Sequence, residues 1–237
     1  YLWPFIGCSE CGPRYSWLRR LPFIRRHTTF DQFQPCKNCA KEYTSTNDRR
    51  FGMELIACAE CGPTLYYRDQ TTNFLVQGAW MHAVATLQKG GIVALQGFSG
   101  FHLLARAADE NAVMRLRAFK SRQEKPLAIL VDSVRQVGEL AFCSETEANW
   151  LTGAHRPIVL LKKKDTLLWP WIAPDNPRIG IMLPNNGMQA LITRAMGEPL
   201  VATSANRRGD AIAADLNEVL SWLTKGISGI CYHDIPL

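Results

Sequence analysis

No stretch of this 237-residue sequence approaches the ~20 consecutive apolar residues that cross a bilayer, so the pattern holds no helical membrane span. Both standard phosphate loops are missing too: there is no Gly-x-x-x-x-Gly-Lys-Ser/Thr and no Gly-x-Gly-x-x-Gly to anchor a nucleotide. The opening Tyr1-Leu2-Trp3-Pro4 has neither the basic start nor the apolar run of a secretory segment. Acidic residues are outnumbered, 21 Asp and Glu against 27 Lys and Arg, and the formal charge of +6 points to anionic ligands such as nucleotides or RNA without choosing one. At 47% hydrophobic and 20% charged, the chain is too apolar for a disordered tail and long enough for a large domain with a small module beside it.

Cysteine is what the sequence has in excess. Six of its eight cysteines form Cys-x-x-Cys pairs, Cys8/Cys11, Cys36/Cys39 and Cys58/Cys61, while Cys143 and Cys231 stand alone. A disulfide scaffold would be shorter and follow a secretory segment, so the expectation is a reducing, cytoplasmic compartment with thiolates on zinc. Cys36, Cys39, Cys58 and Cys61 lie at a separation of 18 residues between pairs, the pattern of a closed four-thiolate structural site with no position left for a catalytic water.

Tyr1 to Pro13 aligns without gaps on Phe51 to Pro63, matching the whole Cys-x-Glu-Cys-Gly-Pro knuckle. On that alignment the partner of the Cys8/Cys11 knuckle falls before residue 1, so an incomplete zinc site is expected there. The alternatives are an unmetallated pair, recruitment of His27, pairing across a dimer, or union with Cys36/Cys39. Arginines 14, 19, 20, 25 and 26 form either a phosphate-contacting face for RNA or a solvated basic surface beside the thiolates.

Composition changes near residue 75, dividing a zinc-finger region over residues 1–75 from an α/β or α+β domain over 76–237. In the latter, Ile92 to Leu95, Phe101 to Ala105, Leu127 to Val131, Pro157 to Leu161, Ile179 to Leu183 and Pro199 to Ala202 read as buried strands. Helical spacing joins Trp80/Val84/Leu87, Val113/Leu116 and Leu216/Val219/Leu220/Leu223, with Asp109 and Asp215 as caps for the last two.

Three segments beside strands have the chemistry of a nucleotide site. Gln96-Gly97-Phe98-Ser99-Gly100 lets backbone amides approach a ligand, Lys120 to Pro126 carries three cations, and Thr203-Ser204-Ala205-Asn206 ends a strand in hydroxyls and an amide. Taken singly, each is equally a polar turn or solvated surface, and His102 is equally a structural histidine.

Together, the Cys-x-x-Cys-Gly-Pro knuckles, Lys41-Glu42-Tyr43 through Asp48-Arg49-Arg50-Phe51, Gly97 to Leu103, Lys120-Ser121-Arg122 with Lys125-Pro126, and Thr203 to Asn206 resemble the HypF family, carbamoyltransferases of nickel-iron hydrogenase maturation. The resemblance implies a zinc-finger region followed by a YrdC-like domain, a twisted mixed sheet with helices and a concave basic surface. It further implies that MgATP and carbamate, released from carbamoyl phosphate by a preceding domain, form carbamoyl-adenylate and pyrophosphate. A following domain then passes the carbamoyl group to the C-terminal cysteine of a HypE-like partner.

Carried over to this numbering, catalysis falls to Lys120, Arg122, Ser99 and His102. Nucleotide binding falls to Lys120, Arg122, Lys125, Thr203, Ser204 and Asn206. Metal binding falls to Cys36, Cys39, Cys58 and Cys61, with Cys8 and Cys11 as the partial set. The sequence departs from the family pattern at Arg106, Phe119 and Arg208. Two other readings keep the fold: an enzyme joining threonine and bicarbonate to AMP, or a zinc-ribbon module holding RNA or a partner with a decayed adenylation site.

Overall fold

The structure is a computed structural model, and residues 3–5, 14–72, 76, 78–164, 169–206 and 209–236 are described. Its frame is a mixed sheet whose strands are β1 Leu65–Asp69, β2 Val93–Gly97, β3 Gly100–Arg106, β4 Ala128–Leu130, β5 Ala141–Phe142, β6 Val159–Lys163, β7 Arg178–Met182, β8 Leu200–Ser204 and β9 Gly229–His233. Their spatial order is β1-β9-β2-β3-β8-β4-β7-β6-β5. The pairs β2/β9 and β4/β7 are parallel and the others antiparallel. The helices are α1 Arg14–Trp17, α2 Lys37–Thr44, α3 Ala79–Gln88, α4 Glu110–Phe119, α5 Val134–Leu140, α6 Glu145–Thr152, α7 Gly187–Met196 and α8 Leu216–Leu220. This is the twisted mixed sheet with helices that the sequence predicts.

Strands at the centre of the sheet are apolar on both faces because both faces are covered. Phe101, Leu103 and Ala105 of β3 pack with Ala112, Val113 and Leu116 of α4, Leu140 of α5, Leu151 of α6 and Val219 of α8. Leu104, on the opposite side, joins Ala83 and Leu87 of α3, Met188 and Ile192 of α7, and a group from the cysteine-rich segment: Phe5, Trp17, Phe30, Leu55 and Ala57. The cysteine-rich segment therefore shares a core with the second face of the sheet. β1, which precedes residue 75, pairs with β9 at the sheet's edge.

The two acidic caps are present: Asp109 Oδ1 accepts from Ala112 N at 2.9 Å, and Asp215 Oδ1 accepts from Asn217 N at 2.8 Å. The strand read over Pro157 to Leu161 forms as β6, but only one face is buried, with Leu161 in the core. Ile158 is 54% and Leu160 62% exposed, because only the short β5 lies outside it. No described helix is long and apolar enough to cross a membrane.

Candidate functional site

The metal-ligand set forms as the spacing predicts. Cys36 and Cys39 frame the start of α2, Cys58 and Cys61 sit in the following turn, and their ligand atoms all lie within 4.8 Å of one another. The sulfur separations are 3.8 Å for Cys36–Cys58, 3.8 Å for Cys58–Cys61 and 3.7 Å for Cys61–Cys39. A tetrahedron with metal–sulfur bonds of about 2.3 Å has edges of about 3.8 Å, so the donor set fits zinc. Burial, and then hydrogen bonds from the other three thiols, raise the pKa of Cys39, so a cation is needed to hold that sulfur as a thiolate.

Arginines brace this cluster. Arg25 donates through Nη1 to the carbonyls of Glu54 at 3.0 Å and Ile56 at 2.7 Å and through Nη2 to that of Phe33, while its amide donates to Glu54 Oε2 at 2.6 Å. Arg50 donates to Glu42 Oε2 and to the carbonyl of Ala57, both at 2.6 Å. Of the five arginines offered as a basic face, Arg25 is therefore a structural clamp, whereas Arg19, Arg20 and Arg26 are exposed. His27 is buried and its Nδ1 lies 2.9 Å from the carbonyl of Pro22. Cys8, Cys11, Arg208 and the side chain of Arg14 lie outside the described residues.

The second site is an open cleft of about 560 Å³ lined by Lys120 to Lys125 with Ser204, Asn206 and Gly209. Its floor is set by how α4 ends. Ser121, at φ +50°, turns the chain back on itself so that the following carbonyls converge on one guanidinium. That group is Arg117, only 1% exposed, which donates to the carbonyls of Arg122, Gln123, Lys125, Trp171 and Ile172 at 2.7–3.1 Å. Arg117 thus shapes the basic loop without facing a ligand. Sequence reading passed over it, although an arginine beside Val113 and Leu116 on the apolar stripe of α4 was a visible signal.

Lys120 caps α4 and is 3% exposed. Its Nζ donates to Ser204 O at 2.5 Å, Asn206 O at 2.8 Å and Asn206 Oδ1 at 2.9 Å, which uses its three N–H groups. Asn206 Oδ1 also accepts from Ser204 Oγ at 2.7 Å, and Asn206 Nδ2 donates to Asp210 O at 2.8 Å. Burial, followed by the charges of Arg122 and Lys125, pulls Lys120 down to about 8. Arg122 donates to Pro126 O at 2.7 Å and keeps a buried Nε without a partner.

Five of the expected nucleotide residues, Lys120, Arg122, Lys125, Ser204 and Asn206, therefore line one cleft. Ser99, His102 and Thr203 do not line it. Thr203 follows the strand alternation onto the α4 side, while His102 and Ser204 are register partners between β3 and β8 and share the opposite side. Burial and the Lys120 charge lower the pKa of His102, leaving a neutral imidazole. Gly100, at φ +126°, closes the β2–β3 turn where a Cβ would lie 2.9 Å from the carbonyl of Ala213.

A family model for Sua5_yciO_yrdC, described as telomere recombination, matches residues 85–236. The chain belongs to that family. A second model, the HypF finger, matches residues 36–67 and so covers the four-cysteine set. Across its whole length the chain is 39% identical to the carbamoyltransferase HypF of Synechocystis, of which it spans 31%. The crystal structure of a full-length HypF in the phosphate- and nucleotide-bound form superposes with TM-score 0.92 at 35% identity, covering 99% of this chain and 31% of that one. A threonylcarbamoyl-AMP synthase of Cellvibrio japonicus is 26% identical over 58% of this chain and 75% of its own length. The chain spans about a third of the HypF relatives, and the resemblance to them holds from end to end.

Proposed function

We propose that this chain is the zinc-finger and nucleotide-activating part of a HypF-type carbamoyltransferase, with residues 1–75 carrying zinc and residues 76–237 binding MgATP and carbamate. The observation that carries this reading is the cleft itself. Arg122 and Lys125 rim it, and the buried Lys120 ammonium ties its floor to Ser204 and Asn206. Such a cradle lowers the cost of gathering phosphate charge, which is what phosphoryl and nucleotidyl transfer require of a protein.

In the proposed step a carbamate oxygen attacks the α-phosphorus. The new O–P bond forms as the bond to the bridging β-phosphate oxygen breaks, giving carbamoyl-adenylate and pyrophosphate. Arg122 and Lys125 neutralise the β- and γ-phosphates, and Lys120 supplies positive charge from beneath while holding Ser204 and Asn206 toward the nucleotide. Mg²⁺ would be held mainly by the phosphates, since Glu124 is the one carboxylate among the described lining residues. The adenylate would then go to the C-terminal cysteine of a HypE-like partner through a further domain.

The threonine-using reading has support over the sheet, where threonylcarbamoyl-AMP synthases match. The HypF finger and the similarity along the full chain favour carbamate. Incubating the chain with MgATP, carbamoyl phosphate and a separate acylphosphatase should release pyrophosphate, and threonine with bicarbonate should not replace the carbamate source. Pyrophosphate release with threonine and bicarbonate alone would overturn the carbamate assignment.

A further inference from the structure

Two lines of contacts leave the four-cysteine site and end at the turn between β2 and β3. The first begins at Gly62, which follows the ligand Cys61 and whose amide donates to the carbonyl of Cys58 at 2.8 Å. A Cβ built on Gly62 would lie 2.8 Å from Trp3 Cη2, so the indole rests directly on the knuckle, and its Nε1 donates to the carbonyl of Pro63 at 3.4 Å. Trp3 meets Phe5 edge-on at 5.5 Å, and Phe5 meets His233 edge-on at 5.5 Å. The His233 amide in turn donates to Gln96 Oε1 at 2.9 Å, one residue before Gly97. The second line begins at Ile56, two residues before Cys58, whose carbonyl shares the Arg25 guanidinium with that of Phe33. Phe33 packs on Phe30 at 5.7 Å, Phe30 on Trp17 at 4.9 Å, and Trp17 stands edge-on against Phe98 at 4.6 Å.

The fold makes room for these lines. Phe5, Trp17 and Phe30 are each no more than 3% exposed. Helix α7 starts at Gly187, where a Cβ would lie 2.9 Å from the carbonyl carbon of Pro4, so the helix gives up a side chain where residues 3–5 pass. Neither Gly62 nor Gly187 has a positive φ, and close approach is what requires glycine at both. The turn they reach has little of its own to hold it, since Gly97 and Gly100 lack side chains and Ser99 is exposed. Glycine loses more conformational freedom on folding than any other residue, so such a turn depends on packing supplied from outside. Just beyond it, the Phe101 amide donates to Ala213 O at 2.8 Å and the Phe101 carbonyl accepts from Ala205 N at 2.9 Å. Ala205 stands between Ser204 and Asn206, which line the nucleotide cleft.

We propose that Phe5 and Trp17 are positioning residues that hold the Gly97–Gly100 turn, and through Phe101 and Ala205 the cleft edge at Ser204 and Asn206, while the four cysteines are gathered on a metal. The metal then orders a turn that contains none of its ligands. Without it the Cys58–Cys61 knuckle loses its closure, Trp3 loses its seat on Gly62, and the carbonyls around Arg25 are free to separate. The step from metal to turn stands on packing alone, whereas the step from turn to nucleotide rests on the ATP site proposed above.

Hydrogen exchange of the complete chain, read by mass spectrometry with and without a zinc chelator and with thiols kept reduced, tests the first step with no nucleotide present. Removing zinc should speed exchange at residues 97–99 by about tenfold or more and leave residues 103–105 and 200–202 unchanged. One equivalent of zinc should restore the original rate. A turn that exchanges at the same rate with and without metal, or sheet protection lost together with the turn, would overturn the proposal. In the zinc-loaded chain, Trp17→Ala should reproduce the fast turn while keeping one zinc per chain, and Trp17→Phe, which returns a ring to Phe98, should recover most of the protection. An alanine variant with the parent's turn, or no recovery with phenylalanine, would remove Trp17 from the path. Phe5→Ala and Phe5→Leu make the same comparison on the other line. ATP should bind Trp17→Ala about threefold more weakly than the parent. Equal affinity in a variant whose turn has loosened would refute the second step and leave the coupling of metal to turn standing.

Discussion

The cysteine-rich segment and the strand-rich segment solve the same problem with different chemistry. Around β2, β3 and β8, order comes from apolar side chains buried on both faces, and Phe101, Leu103, Leu104, Leu200 and Val201 are fully enclosed. Among the described residues between 14 and 64, the buried large apolar side chains are Trp17, Phe30, Leu55 and Ile56. Cys36, Cys39, Cys58 and Cys61 gather at one point, while Arg25 and Arg50 bind main-chain carbonyls that no strand or helix satisfies. Yet the two are joined, because Trp17, Phe30 and Leu55 belong to the second core of the sheet and Trp17 touches Phe98 in the turn after β2. A metal-dependent segment is thereby placed where it supports the glycine-rich turn. The same device recurs in the sheet at Arg117, where a buried guanidinium orders a loop through carbonyls.

Removing the metal should separate the two regions most sharply. Structural zinc contributes on the order of 10 kcal/mol of apparent binding free energy in finger peptides, so Cys58→Ser should reduce zinc from one per chain to none. Amide exchange should then accelerate across residues 14–64 while β3 and β8 stay protected. Simultaneous loss of protection in β3 and β8 would show that the shared core, rather than the metal, holds both regions.

Next in size is Arg117→Met, which fills similar volume and abandons five carbonyls. A cost of about 3–5 kcal/mol, or a fall in Tm of roughly 10 °C, is expected by thermal melting, with weaker ATP binding because the basic loop loses its template. A stable variant with normal ATP affinity would make the guanidinium dispensable.

A smaller effect is expected from pH. Lys120 has a folded-state value of about 8, below its ordinary 10.5, so the unfolded chain holds the proton more firmly between those values. The contribution of this group to stability therefore increases as pH rises from 8 toward 10.5, whereas ATP affinity declines as the ammonium is lost above pH 8. Calorimetric titration at pH 7 and pH 9 should show roughly tenfold weaker ATP binding at the higher pH, and Lys120→Met should flatten that dependence. Least affected should be Arg19→Ser and Arg20→Ser. Both side chains are exposed, so changes within about 0.5 kcal/mol of stability and unaltered ATP binding are expected.

Much of this was legible before any coordinates. The four-cysteine spacing gave the metal set, because a tetrahedral site imposes tight local geometry on sequence. Short apolar runs located the six strands from β2 to β4 and from β6 to β8, and Asp109 and Asp215 marked helix starts by their capping chemistry. β1 and β9 escaped notice, since Leu65–Asp69 and Gly229–His233 mix polar and aromatic residues and become strands through pairing with each other. The helices α5, α6 and α7 were missed although their starts carry capping chemistry at Ser133, Ser144 and Asn186, with Ser144 and Glu147 forming a capping box. In the cleft, residue types revealed charge but not its use. Nothing in Lys120-Ser121-Arg122 foretold that the lysine would be buried against Ser204 and Asn206, a contact between residues more than eighty apart.

ATP calorimetry on the parent chain, on Lys120→Ala and on Arg122→Ala bears most directly on the nucleotide cleft. The parent should bind one ATP, and each variant, folded by circular dichroism, should bind about ten- to a hundredfold more weakly, Arg122→Ala through one lost charge-assisted phosphate contact and Lys120→Ala through the lost charge and the release of Ser204 and Asn206. Equal ATP affinity in all three proteins would mean that the basic loop is ordinary surface and that the nucleotide, if bound at all, lies elsewhere.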